Sequence, residues 1–253
     1  MPAVTPDDAG ERRDVCLVSL SVESGAAPEV GQNDKQGRRH RRSDIFTQEE
    51  RQQNATRPAT SMKRSHVAFA LTALLVALPI AAYALVKPLR VVAPALIPGV
   101  SCPSADICTD DAAKLGDAQQ LYRDGYARAA AAVGAFRAAP RVVFCSTRAC
   151  ADAFGLGTRA ALTLGNFGVV IAPRGWQTYF LAHELIHHRQ AEVLGNLAVV
   201  TKPRWLIEGM AYSLSEDPRH PLTEPFETWR TRFDTWHAAL GGQALWDAAR
   251  AVE

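Results

Sequence analysis

The sequence predicts an α+β domain carried behind one N-terminal transmembrane helix, and three observations lead there. Residues 67–86, VAFALTALLVALPIAAYALV, run without a charge for long enough to cross a bilayer as a helix. Beyond them, helical segments are interleaved with short β-branched runs that are bounded by Gly and Pro. Before them, residues 1–65 are poor in large apolar side chains and rich in Arg, Asp, Glu, Gln and Ser, a composition that cannot build a core. The expected division is a tail over 1–65, a membrane segment over 66–87, and a folded domain over 88–253, large enough to bury a core.

The net charge of +2 averages over these unlike segments and excludes little. The basic run Gly37-Arg38-Arg39-His40-Arg41-Arg42 has almost no aromatic neighbours for base stacking, so nucleic acid is not an expected partner. Lys63 and Arg64, behind that Arg cluster, precede the apolar stretch, while Lys87 and Arg90 follow it. The greater positive charge lies on the N-terminal side. That side is expected in the cytoplasm and the domain in the periplasm or outside the cell. Met62-Lys63-Arg64, with Ala82-Tyr83-Ala84 at the far end of the apolar run, also reads as a signal peptide with a cleavage site. The length of the run and the tail before it favour an uncleaved anchor; either way residues 88–253 are exported.

The cysteines agree with export. Cys16 falls in the tail, whereas Cys102, Cys108, Cys145 and Cys150 all follow the membrane segment. Four cysteines in an oxidising compartment suggest two disulfides, and local pairing, Cys102 with Cys108 and Cys145 with Cys150, is the simplest of three connectivities. Their spacing contains no C-x-x-C knuckle, which argues against zinc at these positions.

Within the domain, residues 112–138 are Ala-rich and read as a helix ended by Pro140, with Leu115, Leu121, Tyr122, Tyr126 and Val133 for packing. Residues 141–145, RVVFC, and 166–173, NFGVVIAP, read as strands. A helix is expected from Trp176 to Leu194 with Gly195 as its stop, then a loop through Lys202-Pro203, then a second helix over 204–216. A proline-rich loop, 217–225, leads to a last helix over 226–250. There Phe226, Trp229, Phe233 and Trp236 make one apolar stripe suited to core packing.

The chemistry lies in the first of the two paired helices. Residues 182–188 read AHELIHH, which places His183 and His187 one turn apart on one helical face with Glu184 beside the first. Two imidazoles so placed can bind one zinc ion, and the Glu can reach a water on that ion. Glu208, on the following helix, is the natural third ligand. Two imidazoles and one carboxylate leave a fourth tetrahedral position open for water, the arrangement of a catalytic rather than a structural zinc site. Glu184 is then the general base.

H-E-x-x-H followed by Trp205-Leu206-Ile207-Glu208-Gly209-Met210-Ala211, a W-L-x-E-G-x-A segment, resembles the gluzincin metallopeptidases. The resemblance covers residues 182–213. It implies a small zincin-like fold, zinc held by His183, His187 and Glu208, Glu184 as general base, and an edge strand, here NFGVVIAP, that pairs with extended substrate. The chain departs from the family in three places. It has no G-x-M-E-N segment, so aminopeptidase specificity does not carry over. Ser213 stands where many gluzincins have Tyr, five residues after the Glu ligand. Tyr212 stands where thermolysin-like members have an acid.

A zinc hydrolase also needs a donor for the oxyanion of its tetrahedral intermediate. Tyr212, one turn beyond Glu208, is the first candidate, His220 the second and His237 the third. His188 should point away from the metal, at the surface or behind the ligands. Arg174 and Trp176 either line the cleft or pack the helix entry. The sequence therefore leads to an expected zinc peptidase, anchored through residues 67–86, that cleaves an unidentified peptide or protein. The alternative is an anchored binding module without catalysis. An intramembrane protease is excluded, because AHELIHHRQAE is polar and the one long apolar segment lies far from it.

Overall fold

The computed structural model describes residues 61–253. The expectations for the Arg-rich tail and Cys16 lie outside the described residues. Helix α1, Ser61–Leu85, contains Pro79 and the stretch Ala68–Leu85, which is long and apolar enough to span a membrane by length and composition.

The chain divides into two units, Met1–Ala77 and Leu78–Glu253. The folded unit thus begins inside the last turns of α1, ahead of the expected boundary at 88, and local hydrogen bonding explains why. Arg90, in a 3-10 segment Lys87–Val92, donates to the carbonyls of Tyr83 and Ala84 at 3.4 and 2.9 Å and to that of Ala153 at 2.7 Å. Tyr83 Oη donates to the carbonyl of Ala93 at 2.8 Å. Helix-terminal carbonyls that lack an intrahelical partner are satisfied by the domain that follows.

The sheet has four strands: β1, Ile107–Thr109; β2, Val142–Phe144; β3, Ala161–Leu164; and β4, Gly168–Ile171. Their order is β1-β2-β4-β3, with β1 parallel to β2, β2 parallel to β4, and β3 antiparallel to β4. The arrangement is mixed α/β: α2, Leu115–Val133, provides the crossover between the parallel β1 and β2. β2 and β4 coincide with the two expected strands. NFGVVIAP, however, is an internal strand and not an edge; the edges are β1 and β3, and the neighbour of β4 on the outer side is β3, a short antiparallel partner whose ALTL sequence lacks β-branched density.

Strand alternation sorts the core into two layers. Ile107, Val142, Phe144, Val169 and Ile171 face a cluster with α2 and the motif helix α4, Thr178–Leu194. Cys108, Val143, Cys145 and Val170 face the opposite cluster, with Val91, Phe154 and Leu156. Disulfides Cys102–Cys108 and Cys145–Cys150 staple this second layer, the local pairing expected. Of the residues expected to pack on α2, Tyr122 and Val133 are buried, and Leu115, Leu121 and Tyr126 are partly so.

Several boundaries differ from expectation. α2 stops at Gly134, whose positive φ of 84° ends the helix before Pro140 can. Two short helices add to the expected elements: α5 (Asn196–Thr201) occupies the segment read as a loop, and α3 (Arg148–Ala153) falls where no element is expected. α6, Arg204–Leu214, ends two residues early. The last expected helix is two, α7 (Phe226–Ala238) and α8 (Leu245–Ala251), separated at Gly241 and Gly242 with φ of 57° and 95°. The aromatic stripe of α7 packs as expected: Phe233 is fully buried, and Trp229 and Trp236 lie against the core.

α6 and α7 approach closely because Gly209 has no side chain. A Cβ there would lie 2.3 Å from the Trp229 carbonyl oxygen and 2.9 Å from Phe233 Cβ. Gly209→Ala is expected to destabilise the domain by about 3 kcal/mol, the upper part of the overpacking range, because the obstruction is backbone. Gly116→Ala, where a Cβ meets nothing within 4 Å, is expected to be neutral or stabilising by up to about 1 kcal/mol. Urea unfolding of the two variants checks the contrast.

Candidate metal centre

α4 and α6 lie against each other and converge on one point. His183 and His187 project from α4 with their Nε2 atoms 3.1 Å apart, and Glu208 Oε2 from α6 lies 3.7 and 3.4 Å from them. The three can hold a metal ion. Zinc bonds of about 2.0–2.1 Å at tetrahedral angles place ligand atoms about 3.3 Å apart, so the observed triangle is the right size for such an ion. His183 and Glu208 are each 9% exposed. Glu208 turns its other oxygen, Oε1, towards Arg204 Nη1 at 3.6 Å.

Burial opposes charge on His187, but the Glu208 carboxylate outweighs it, aided by Glu184 and Gln190, and raises its pKa to about 9. Burial likewise opposes ionisation of Glu208, yet His187 and His183 hold its carboxyl well below the usual carboxylate range. The signs follow. The raised His187 stabilises the metal-free fold below its ordinary value of 6.5 and loses that contribution as pH climbs through about 9. The depressed Glu208 stabilises it above the ordinary 4.5 and loses that contribution only as acid titrates the folded carboxylate. A metal must displace the proton on His187, so metal affinity is expected to rise about tenfold per pH unit between 6.5 and 9 and then level off. Competition with a chromogenic chelator across that range, with proton release followed in weak buffer, measures it.

His187 has a partner that the sequence reading missed. Its Nδ1 lies 2.8 Å from Gln190 Oε1, to which it donates, and this leaves Nε2 to face the triad. Gln190 is fully buried, and its amide donates to the Ile207 carbonyl at 2.9 Å and reaches Met210 Sδ at 3.3 Å. One side chain thus orients a histidine of α4 and ties it to the backbone beside Glu208. Its position three residues after His187, on the same helical face, was the available signal. Gln190→Leu is expected to weaken metal binding by about 10- to 100-fold, as isothermal titration of the variant would show.

Glu184 is half-buried beside the triad. Its Oε2 accepts a hydrogen bond from Thr163 Oγ1 of β3 at 2.6 Å, and the same hydroxyl lies 2.9 Å from the Glu184 carbonyl. β3 therefore positions this carboxylate, a role invisible where the strand itself was not read. Tyr212 sets its ring edge-on to His183, with centroids 4.4 Å apart, and touches Phe226 at 5.1 Å. Burial and Glu208 raise its pKa well above the usual tyrosine range, Arg219 acting in the opposite direction. It remains a hydroxyl donor at neutral pH.

The other candidates are elsewhere engaged. His220 receives a hydrogen bond from Arg230 Nη2 on Nδ1 at 2.6 Å, which ties the proline-rich loop to α7. His237 stacks on Phe233. Trp176 donates to the Cys145 carbonyl at 2.9 Å and packs edge-on to Phe144, so it closes the helix entry, and Arg174 lies in the adjoining 3-10 turn Pro173–Gly175. His188 points away from the triad but is buried, 3.6 Å from Glu192 and against Phe136, and not a surface residue. Burial lowers its pKa, with Glu192 opposing.

Arg219, unremarked in the sequence, forms a bidentate pair with the buried Asp217 and lies over the rings of Phe180 and Tyr179, one turn before His183. Comparison of the chain with protein-family models, with curated proteins and with solved structures returns no match.

Proposed function

We propose that this chain is a zinc-dependent peptidase of gluzincin type, anchored in a membrane and acting outside the cytoplasm. The observation that carries the reading is the convergence of His183, His187 and Glu208 on a triangle of zinc dimensions, with Glu184 beside it and Gln190 behind it. The donor set favours zinc: two imidazoles and one carboxylate form the ligand set of hydrolytic zinc sites, whereas magnesium and calcium prefer all-oxygen shells.

Zinc held by these residues supplies Lewis acidity and makes water easier to deprotonate. The chain's own groups perform the remaining work. Glu184, oriented by Thr163, removes the proton from the attacking water and passes it to the departing amine as the peptide bond breaks. The Tyr212 hydroxyl, protonated at neutral pH, donates to the oxygen that gains charge on the scissile carbonyl. β3, an edge strand of the sheet next to Glu184, offers backbone groups to an extended substrate. Export agrees with the two disulfides and with the apolar stretch that precedes the domain.

The test is metal content and turnover of the full chain purified in detergent. Elemental mass spectrometry should give about one zinc per chain, and a peptide library should show cleavage that a chelator abolishes. Zinc without cleavage of any library member supports the binding-module reading instead. A folded chain without affinity for zinc overturns the peptidase reading.

A further inference from the structure

We propose that the face formed by residues 86–96, the β3–β4 turn and α5 rests on the lipid bilayer, at the boundary between headgroups and acyl chains. Beyond α1, the large apolar side chains left exposed among the described residues are Val86, Val92, Leu96, Phe167, Leu197 and Val200, between 46 and 74% exposed. They come from three segments distant in sequence, and contacts bring those segments together. A Cβ on Gly168 would lie 2.8 Å from Val91 Cγ2, so the Lys87–Val92 segment runs against the start of β4, next to Phe167. Asn196, at the start of α5, accepts from the Asn166 backbone N–H at 3.1 Å and donates to Asn166 Oδ1 at 3.0 Å, which clips α5 to the same turn. Leu197 and Val200 are three residues apart on α5 and share one side of it.

The occupant follows from continuity. The apolar stretch Ala68–Leu85 ends at Leu85, itself exposed, and the chain enters this surface at the next residue. Arg90 and Tyr83 tie the last turn of α1 to the segment that carries Val92 and Leu96. An apolar surface at a chain's exit from a membrane span is one that headgroups and the first methylenes of lipid cover, as they cover interfacial helices. The inference rests on the membrane-span reading of α1 and is independent of the metal site.

The test uses the full chain with Cys16→Ser, the two disulfides kept, and single cysteines introduced as Leu96→Cys, Phe167→Cys, Leu197→Cys and, as a control on α7, Thr231→Cys. Each is spin-labelled and reconstituted in phosphatidylcholine–phosphatidylglycerol vesicles, and its collision rates with oxygen and with a water-soluble nickel chelate are compared. The expected result is an oxygen-to-nickel ratio several-fold higher at 96, 167 and 197 than at 231. Equal, water-like ratios at all four positions overturn the proposal, as does release of the protein from the vesicles by alkaline carbonate.

Discussion

Glu208→Gln is expected to weaken zinc binding by more than about 100-fold, beyond the range seen when a supporting residue is lost, while the domain stays folded. The substitution keeps the volume of a nearly buried side chain and replaces a charged carboxylate by a neutral amide. The carboxylate now serves two purposes. It offers Oε2 to the point where the imidazoles meet, and its charge holds a proton on His187. Removing the charge should therefore lower the His187 pKa from about 9 towards or below its ordinary value, since only burial, which lowers it, and weaker partners remain. NMR titration of the His187 ring in the metal-free variant reads this second effect directly. Wild-type zinc affinity in the variant would remove Glu208 from the ligand set, and an unshifted His187 would show that its charge is not what Glu208 governs.

The residues that make this prediction possible are legible in the sequence. Helix periodicity alone places His183 and His187 on one face, and the W-L-x-E-G-x-A segment marks Glu208 on the helix that follows. The disulfides were legible for a similar reason, since spacings of six and five residues make local closure geometrically easy. The supporting groups were harder to find, and each for a physical reason. Thr163 lies on a four-residue strand whose stability comes from its neighbour β4 and the helix beneath, so propensity carried no signal. Gln190 looks like any solvent-facing amide until α6 covers it and supplies a buried carbonyl for it to satisfy. For His188, helix geometry gives only a direction away from the triad and leaves open whether that side meets solvent or protein. It is covered instead by Phe136, beyond the end of α2, and by its own Glu192.

Glu184→Gln is the second large effect expected, and it should fall on turnover alone. The amide can still accept from Thr163 Oγ1 through its oxygen, so the side chain keeps its position between β3 and the triad. In the proposed mechanism, what it loses is the ability to take a proton from water and return it to the leaving amine. Such general acid–base roles are worth about 10²- to 10⁴-fold, and kcat should fall by that factor with KM little changed. Zinc content should match the wild type, because Glu184 is not one of the three converging residues that can hold a metal ion. The combination discriminates where activity loss alone does not. A variant that loses zinc together with activity has been disrupted at the site as a whole, and says nothing of a base. A variant that keeps both zinc and peptidase activity removes Glu184 from the mechanism. Only loss of turnover with zinc retained is consistent with a carboxylate that β3 holds in place to move a proton.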